Sequence, residues 1–240
     1  MLNYVSKFHI LTITCILLLL VSSGTRAAES INVRFDNAFV DLPYPDGYCI
    51  LGETEAEKRL LQWQKDMQLD AGNKLLGQWI TCEDKQKIHS GTLTGSLEKW
   101  VIIVGTLLGD GGTELALPNF DPEEYKRLMT GDVDLKNLMK LAQKSIADNN
   151  KKHFDNENAV FITEPIDLGV LSITDSVHKG MIFNTGNQEF TVPVTAVTST
   201  ILVSGIPLSS YFYSIYRNKK TIKNLLSEAE HYSAKLVHSN

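Results

Sequence analysis

The sequence predicts an α+β fold: an antiparallel β-sheet with packed helices and a helix at the C-terminus, behind a cleaved N-terminal signal peptide. Residues 159–216 hold short β-branched and aromatic runs separated by turn residues, a rhythm typical of consecutive antiparallel hairpins. Strong helix caps occur at Thr54 and Asp121. The stretch 219–237 carries an apolar stripe at helical spacing. We therefore expect a single α+β globular domain over residues 28–240.

The first 27 residues have the three parts of a secretory signal peptide. Lys7 gives a positive amino-terminal region, residues 10–21 form an uncharged apolar core, and Thr25-Arg26-Ala27 offers small residues at both recognition positions of a cleavage site. The apolar core is about twelve residues, shorter than the roughly twenty that span a bilayer. We expect cleavage near Ala27 and a periplasmic or secreted mature protein.

The mature chain is acidic. Removal of residues 1–27 takes away Lys7 and Arg26 but no acid, so the formal net charge changes from −5 to −7. This balance argues against nucleic acid, or an anionic membrane surface, as the main partner. The length and ordinary apolar fraction indicate a folded globular protein.

Two cysteines, Cys49 and Cys82, remain after cleavage, because Cys15 lies in the signal core. In an oxidising compartment an exclusive pair predicts a structural disulfide. Two separate buried thiols are the alternative.

The amino-terminal half is predicted as short strands around one helix. Residues 31–51 contain strands broken at the turn Pro45-Asp46-Gly47. The helix begins after Thr54 with a capping box completed by Glu57. Its predicted buried stripe, which leaves Glu57 out, is Ala56, Leu60, Trp63 and Met67.

Two strands follow this helix. Residues 74–82 are predicted as a strand that carries Cys82, which would let the disulfide pin the helix between the two cysteines. Residues 99–108 form the most apolar run of the mature chain. Such a run predicts a central strand covered on both faces.

Helices are predicted from Asp121, over about 134–149, and over 219–237. The buried stripe of the last helix is expected to be Ile222, Leu225, Leu226, Ala229, Ser233 and Leu236.

The 27 residues from Phe190 to Tyr216 carry no charge, so a membrane anchor near 190–216 is one interpretation. Two prolines and nine Ser or Thr residues interrupt the apolar pattern. Two strands joined at Ser204-Gly205-Ile206 explain it better, and we expect no membrane association.

The sequence predicts no catalytic, cofactor-binding or metal site. The five histidines of the mature chain have no metal-ligand spacing. Asp175, Ser176 and His178 invite a triad hypothesis, but residues this close along a hairpin turn rarely face one another as nucleophile, base and orienter. We therefore predict a turn, with Asp175 capping its own backbone.

Two glycine- or acid-rich segments are also predicted to be structural. Gly105–Gly112 lacks the Lys-Ser/Thr of a phosphate loop, and a solvent-exposed connection is expected, with a mobile binding loop as the alternative. Asp132 and Asp134 lack the other ligands of a calcium loop, so a helix cap is predicted.

Four aromatic residues near the end of the β-rich region would point to opposite faces of a strand. On a strand, Phe212 and Tyr216 would face one side and Tyr211 and Tyr213 the other. One pair is expected in the core. The other either packs beneath the last helix or lines a ligand groove.

The segments Pro43–Cys49 and Asn73–Cys82 and the ending Tyr213–Asn240 resemble those of an uncharacterised family of secreted proteobacterial proteins. The order of elements is also loosely similar to the PsbP/Mog1-type α+β sandwich. Neither likeness implies a reaction.

We expect a non-catalytic binding or accessory domain for a protein or small ligand, without a cofactor. A secreted hydrolase with a dispersed active site and a membrane-anchored component are the alternatives.

Overall fold

The structure is a computed structural model that describes residues 30–93, 95–108, 112–131, 135–153, 160–187 and 190–240. The predicted signal peptide lies outside these ranges. The strands are β1 (Ser30–Phe35), β2 (Ala38–Pro43), β3 (Tyr48–Ile50), β4 (Asn73–Thr81), β5 (Lys99–Leu108), β6 (Thr113–Glu114), β7 (Phe161–Ile162), β8 (Ile166–Ile173), β9 (Val177–Gly186), β10 (Thr191–Val203) and β11 (Ile206–Ile215). The helices are α1 (Glu55–Asp70), α2 (Cys82–His89), α3 (Pro122–Met129), α4 (Leu135–His153) and α5 (Lys219–Ser239).

The predicted α+β class is confirmed. Strands β1 and β2 form a separate hairpin, and the remaining described strands form one antiparallel sheet in the order β3-β4-β5-β11-β10-β9-β7. Strand β6 pairs with the end of β5, and β8 pairs with β9. The charge-free stretch 190–216 supplies β10 and β11, which are joined at Ser204 and Gly205. Among the described residues, no helix combines the length and apolar character needed to span a bilayer.

The strand register defines two faces of the sheet. Trp79, Val101, Phe212 and Val197 pair across β4, β5, β11 and β10, so they share one face, which we call the α5 face. The alternating residues Gln78, Ile102, Tyr211 and Thr198 share the other, which we call the inner face. Strand β5 is buried on both sides, since Val101 through Val104 are each at most 2% exposed. The prediction of a doubly covered central strand is thus confirmed.

Helix α5 and the β1–β2 hairpin cover the α5 face. Helix α5 packs on β10, β11 and β2, and these elements contribute to one hydrophobic core cluster of buried residues. The buried residues of α5 are Leu225, Ala229, Tyr232, Ser233 and Leu236. Tyr232 was absent from the predicted stripe, and Ile222 and Leu226 are only half-buried.

Helices α1, α3 and α4 lie over the inner face. Helix α1 packs on β4 and α4, α3 packs on β10, and α4 also reaches β7. Hydrogen bonds from Asn149 to Asp70 (2.8 Å) and between His153 and Asp66 (2.8 Å) join α4 to α1.

Glu57 differs from the sequence prediction. It forms the expected capping box with Thr54, but it is buried, whereas Ala56 is exposed. One carboxylate oxygen accepts hydrogen bonds from the backbone N–H groups of Gly52, Glu53 and Thr54, and the other contacts His89 Nε2 at 2.9 Å. These bonds compensate for burial of the charge. Glu57 is therefore buried in the first turn, where the apolar pattern predicted Ala56.

Cys82 also differs from its prediction. Strand β4 ends at Thr81, whose side chain accepts a hydrogen bond from the Asp84 N–H and caps α2. Cys82 is therefore the first residue of a helix that the apolar pattern does not reveal, because α2 buries only Asp84.

The β1–β2 hairpin packs against β5 at Gly105, where the absence of a side chain accommodates the ring of Phe35. A Cβ added at Gly105 of β5 would overlap the Phe35 side chain, which is fully buried. Gly105 thus lies in the central strand, within the run 99–108 that predicted it.

Gly105→Ala is expected to lower the free energy of unfolding by about 1–3 kcal/mol, because the added methyl displaces the Phe35 ring. Urea denaturation measures the change. In a Phe35→Leu background the same substitution should cost less. An equal cost in both backgrounds would contradict the proposed overlap.

Candidate functional site

The predicted turn at Asp175 and Ser176 lies between β8 and β9 and is closed by the Thr174 N–H, which donates to the Ser176 carbonyl at 2.9 Å. Asp175 is exposed, whereas Ser176 and His178 are fully buried. The three side chains therefore do not form an accessible triad.

His178 is instead part of a buried hydroxyl cluster. Its Nε2 lies 2.9 Å from Ser176 Oγ and 3.0 Å from Thr174 Oγ1, and its Nδ1 lies 2.7 Å from Ser199 Oγ. Burial lowers the pKa of His178, against the nearby Glu230 carboxylate, which raises it. A neutral imidazole between hydroxyls serves packing rather than catalysis, because substrate has no route to a sealed group.

Three other histidines each contact a different acid. His89 contacts Glu57, His153 contacts Asp66, and His231 contacts Asp46. Within the described ranges, no group of three or more His, Cys, Asp or Glu residues is arranged to hold a metal ion. Asp132 and Asp134 lie outside those ranges, as do residues 109–111 of the predicted glycine-rich connection.

The strongest candidate site is a cleft of about 380 Å³ between α5 and the turn that joins β2 to β3. We call it the α5 cleft. Its lining residues are Pro45, Asp46, Tyr48, Phe212, Asn224, Ser227, Glu228, His231, Tyr232 and Lys235.

The outer rim of the α5 cleft is an ion pair between two residues, Asp46 and Lys235, that are 189 positions apart in the sequence. The turn presents Asp46, since Gly47 takes a positive φ of 81° and the Tyr48 N–H donates to the Pro45 carbonyl. Lys235 Nζ donates to Asp46 Oδ1 at 2.6 Å, and His231 Nε2 lies 3.3 Å from Oδ2. The hydrogen bond from Lys235 is the main reason that the pKa of Asp46 is lowered.

The inner rim is Glu228. Tyr48 Oη donates to one carboxylate oxygen at 3.0 Å, and Lys99 Nζ donates to the other. Burial, reinforced by this carboxylate, raises the pKa of Tyr48, which therefore remains a neutral donor. Both acids of the α5 cleft are thus paired with cations.

The floor of the α5 cleft is aromatic. The rings of Phe212 and Tyr232 lie with centroids 5.6 Å apart, and both residues are at most 2% exposed. The rim residues Asn224 and Ser227 are exposed. The cleft thus combines an apolar base, a paired charged rim and exposed polar groups, an arrangement typical of ligand sites.

The disulfide holds the turn in place. Cys49 and Cys82 are bonded, with Cα atoms 4.9 Å apart, which confirms the predicted pairing over separate thiols. The Cys82 N–H also donates to the Gly47 carbonyl at 3.2 Å. Since Gly47 adjoins Asp46, the bridge fixes one wall of the cleft to the start of α2.

Sequence reasoning did not identify the cleft residues as a site. Glu228, His231 and Lys235 recur at helical spacing beside the buried stripe of α5, which was the available signal. Their partner Asp46 is too distant in sequence for any local pattern to reveal it.

The predicted two-sidedness of the aromatic set is confirmed within β11. Phe212 lies on the α5 face, and Tyr211 and Tyr213 lie on the inner face. The last helix therefore does not cover Tyr211 and Tyr213, which corrects that alternative. Tyr216 follows the end of the strand.

In comparisons with known proteins, no family model matches this chain, and no curated protein matches it. The resemblance to a secreted proteobacterial family and to PsbP/Mog1-type domains stays a prediction.

Replacing both Cys49 and Cys82 by Ser is expected to lower the free energy of unfolding by about 3–4 kcal/mol, because the bridge closes a loop of 33 residues. Chemical denaturation with and without a reductant measures this loss. The reductant should destabilise the wild type and leave the double variant unchanged. A wild type insensitive to full reduction would contradict the structural role of the bridge.

Proposed function

We propose that this chain is an exported, non-catalytic binding domain and that the α5 cleft receives its ligand, either a small molecule or a side chain of a protein partner. The observation that carries the proposal is the combination of an aromatic floor with a rim whose charges are already paired.

Charge pairing favours a neutral ligand. Asp46 is engaged by Lys235, and Glu228 is engaged by Tyr48 and Lys99. An added charge would have to compete with these partners, whereas a neutral group can bind Asn224 and Ser227 on the rim. The volume of the cleft is near the lower end for ligand pockets, which suits one ring or one apolar side chain.

Export is supported by the leader-like residues 1–27 and by the disulfide, since structural disulfides persist in oxidising compartments. The stretch 190–216, which suggested a membrane anchor, supplies the paired strands β10 and β11, and this pairing supports the interpretation without an anchor.

Ser227→Trp should block the α5 cleft, because Ser227 is an exposed lining residue. Ala234→Trp is the matched control, since Ala234 is exposed on the same helix outside the lining. The full 240-residue chain, expressed in bacteria and recovered from the envelope fraction, is used for quantitative co-purification with each variant. We expect at least one species captured by the wild type and the control to be lost with Ser227→Trp. Equal capture by all three proteins would overturn the assignment.

A secreted hydrolase is the second candidate, because Asp46, His231 and Ser227 all line the same cleft. Two features argue against it. Among the hydrogen bonds of the described residues there is none between Ser227 and His231. Ser227 also lies within α5, where backbone N–H groups are used by the helix and cannot form an oxyanion hole.

A fluorophosphonate probe and p-nitrophenyl esters distinguish the two candidates. We expect no labelling of Ser227 and no turnover above that of Ser227→Ala, because the hydroxyl has no base in contact with it. Labelling or turnover that disappears in Ser227→Ala would establish a hydrolase and contradict the binding proposal.

A further inference from the structure

Helix α4 concentrates positive charge in an acidic chain. Its 19 residues include five lysines and a single acid, Asp148, whereas the predicted mature chain has a net charge of −7. Three of the lysines, Lys140, Lys144 and Lys151, are exposed. The side chain of each makes no ion pair or hydrogen bond within the part of the chain that the structure describes. These three cations are therefore available to a partner, unlike the paired lysines of the α5 cleft.

The three exposed lysines form a straight line along α4, which we call the lysine stripe. At about 100° per residue, their side chains leave the helix within an arc of about 40°. From Lys140 to Lys151 the helix axis rises by about 16 Å. Ala147, which is also exposed, lies on the same side of the helix between Lys144 and Lys151. The lysine stripe is thus a single file of positive charge.

Contacts on the other sides of α4 hold the lysine stripe towards solvent. Asn149, on the side of the helix opposite Lys140, donates to Asp70 of α1 at 2.8 Å. Asn150 donates to the Val160 carbonyl at 2.6 Å. Asn149 and Asn150 are both buried. Because these contacts fix the helix, little backbone freedom is lost when a partner binds the stripe.

A single file of lysines fits a linear polyanion better than a flat anionic surface. A flat surface, such as a bilayer, faces the acidic remainder of the protein as well as α4, whereas a thin polymer touches the lysine stripe alone. Charges farther away than a Debye length of about 10 Å are largely screened. The net negative charge of the protein therefore does not cancel the attraction along the stripe.

The type of cation favours carboxylates over nucleic acid phosphates. Arginine, whose planar guanidinium suits phosphate and nucleic-acid recognition, is absent from the sequence of α4. The lysine ammonium is a compact point charge that pairs with one carboxylate at a time. Export, which is part of the proposed function, also brings the stripe to envelope and extracellular polymers and not to nucleic acids.

We propose that the lysine stripe is a docking surface for a linear anionic polysaccharide that carries carboxylates, such as a polyuronate. The polymer lies along α4, and its carboxylates pair with Lys140, Lys144 and Lys151. Helix α4 covers the inner face of the sheet, so this surface is separate from the α5 cleft, and binding here requires no ligand in that cleft.

Fluorescence anisotropy with two labelled probes and the intact protein tests the charge requirement. Oligogalacturonate is a linear polyuronate, and its fully methyl-esterified form has the same backbone without charge. We expect saturable binding of oligogalacturonate at about 50 mM salt, and weaker binding at about 200 mM salt. Binding of neither probe, or equal binding of both, would overturn the proposal.

Two triple variants with the same change of charge locate the surface. Replacing all three lysines of the stripe by Gln should weaken oligogalacturonate binding about tenfold. The matched control replaces Lys219, Lys220 and Lys223 by Gln. These lysines lie at the start of α5, and they too are exposed and unpaired among the described residues. The control should retain its affinity to within about twofold, and an equal loss in both variants would refute the role of the stripe.

Asp148→Asn is a variant that should gain affinity. Asp148 is exposed about one turn from both Lys144 and Lys151, so its carboxylate repels a polyanion lying on the stripe. Removing this charge should strengthen oligogalacturonate binding about twofold to fivefold. Unchanged or weaker binding would contradict contact along this side of α4.

Competition with unlabelled polyanions distinguishes other classes of partner. We expect polyglutamate and phosphatidylglycerol vesicles to displace the labelled probe less effectively, at equal charge concentration, than unlabelled oligogalacturonate. Equal or stronger displacement by polyglutamate would assign the stripe to an acidic peptide, and equal or stronger displacement by vesicles would assign it to an anionic membrane. Either result would overturn the polysaccharide assignment.

Discussion

The fold depends on covering both faces of the strands β5, β10 and β11. These strands carry almost no charge, and Val101 to Val104 are nearly inaccessible on both sides. Burial of such strands is the dominant favourable contribution to folding, but it requires separate covers for the two faces. Helix α5 with the β1–β2 hairpin covers one face, and α1, α3 and α4 lie over the other.

The two covers leave different surfaces exposed. On the α5 face, an ion pair between Lys235 and Asp46 joins the helix to the disulfide-linked turn, and a cleft remains between these two elements. On the inner face, the helices leave four aromatic rings half-buried. The two surfaces therefore differ in chemistry: the first offers exposed polar groups above an apolar base, and the second consists of aromatic rings that contact one another.

Local signals predicted much of the fold but not the sites. The apolar run 99–108 matches β5 at both ends, and the capping box at Thr54 starts α1 as expected. Helix α2 was not predicted because it has almost no buried stripe. The burial of Glu57 was not predicted because its partners are backbone N–H groups and not apolar neighbours. The α5 cleft could not be predicted, since its rim joins Asp46 to Lys235 through tertiary contact alone.

The edges of the sheet bear on how copies of this protein meet one another. Strand β3 has three residues, β7 has two, and the register of β8 against β9 shifts twice. Ile166, Val170 and Ile173 are exposed along β8, a composition that favours templating of further strands on an unbroken edge. The two irregularities interrupt that edge. The chain can therefore keep an apolar border strand in crowded surroundings without offering a continuous ladder for aggregation.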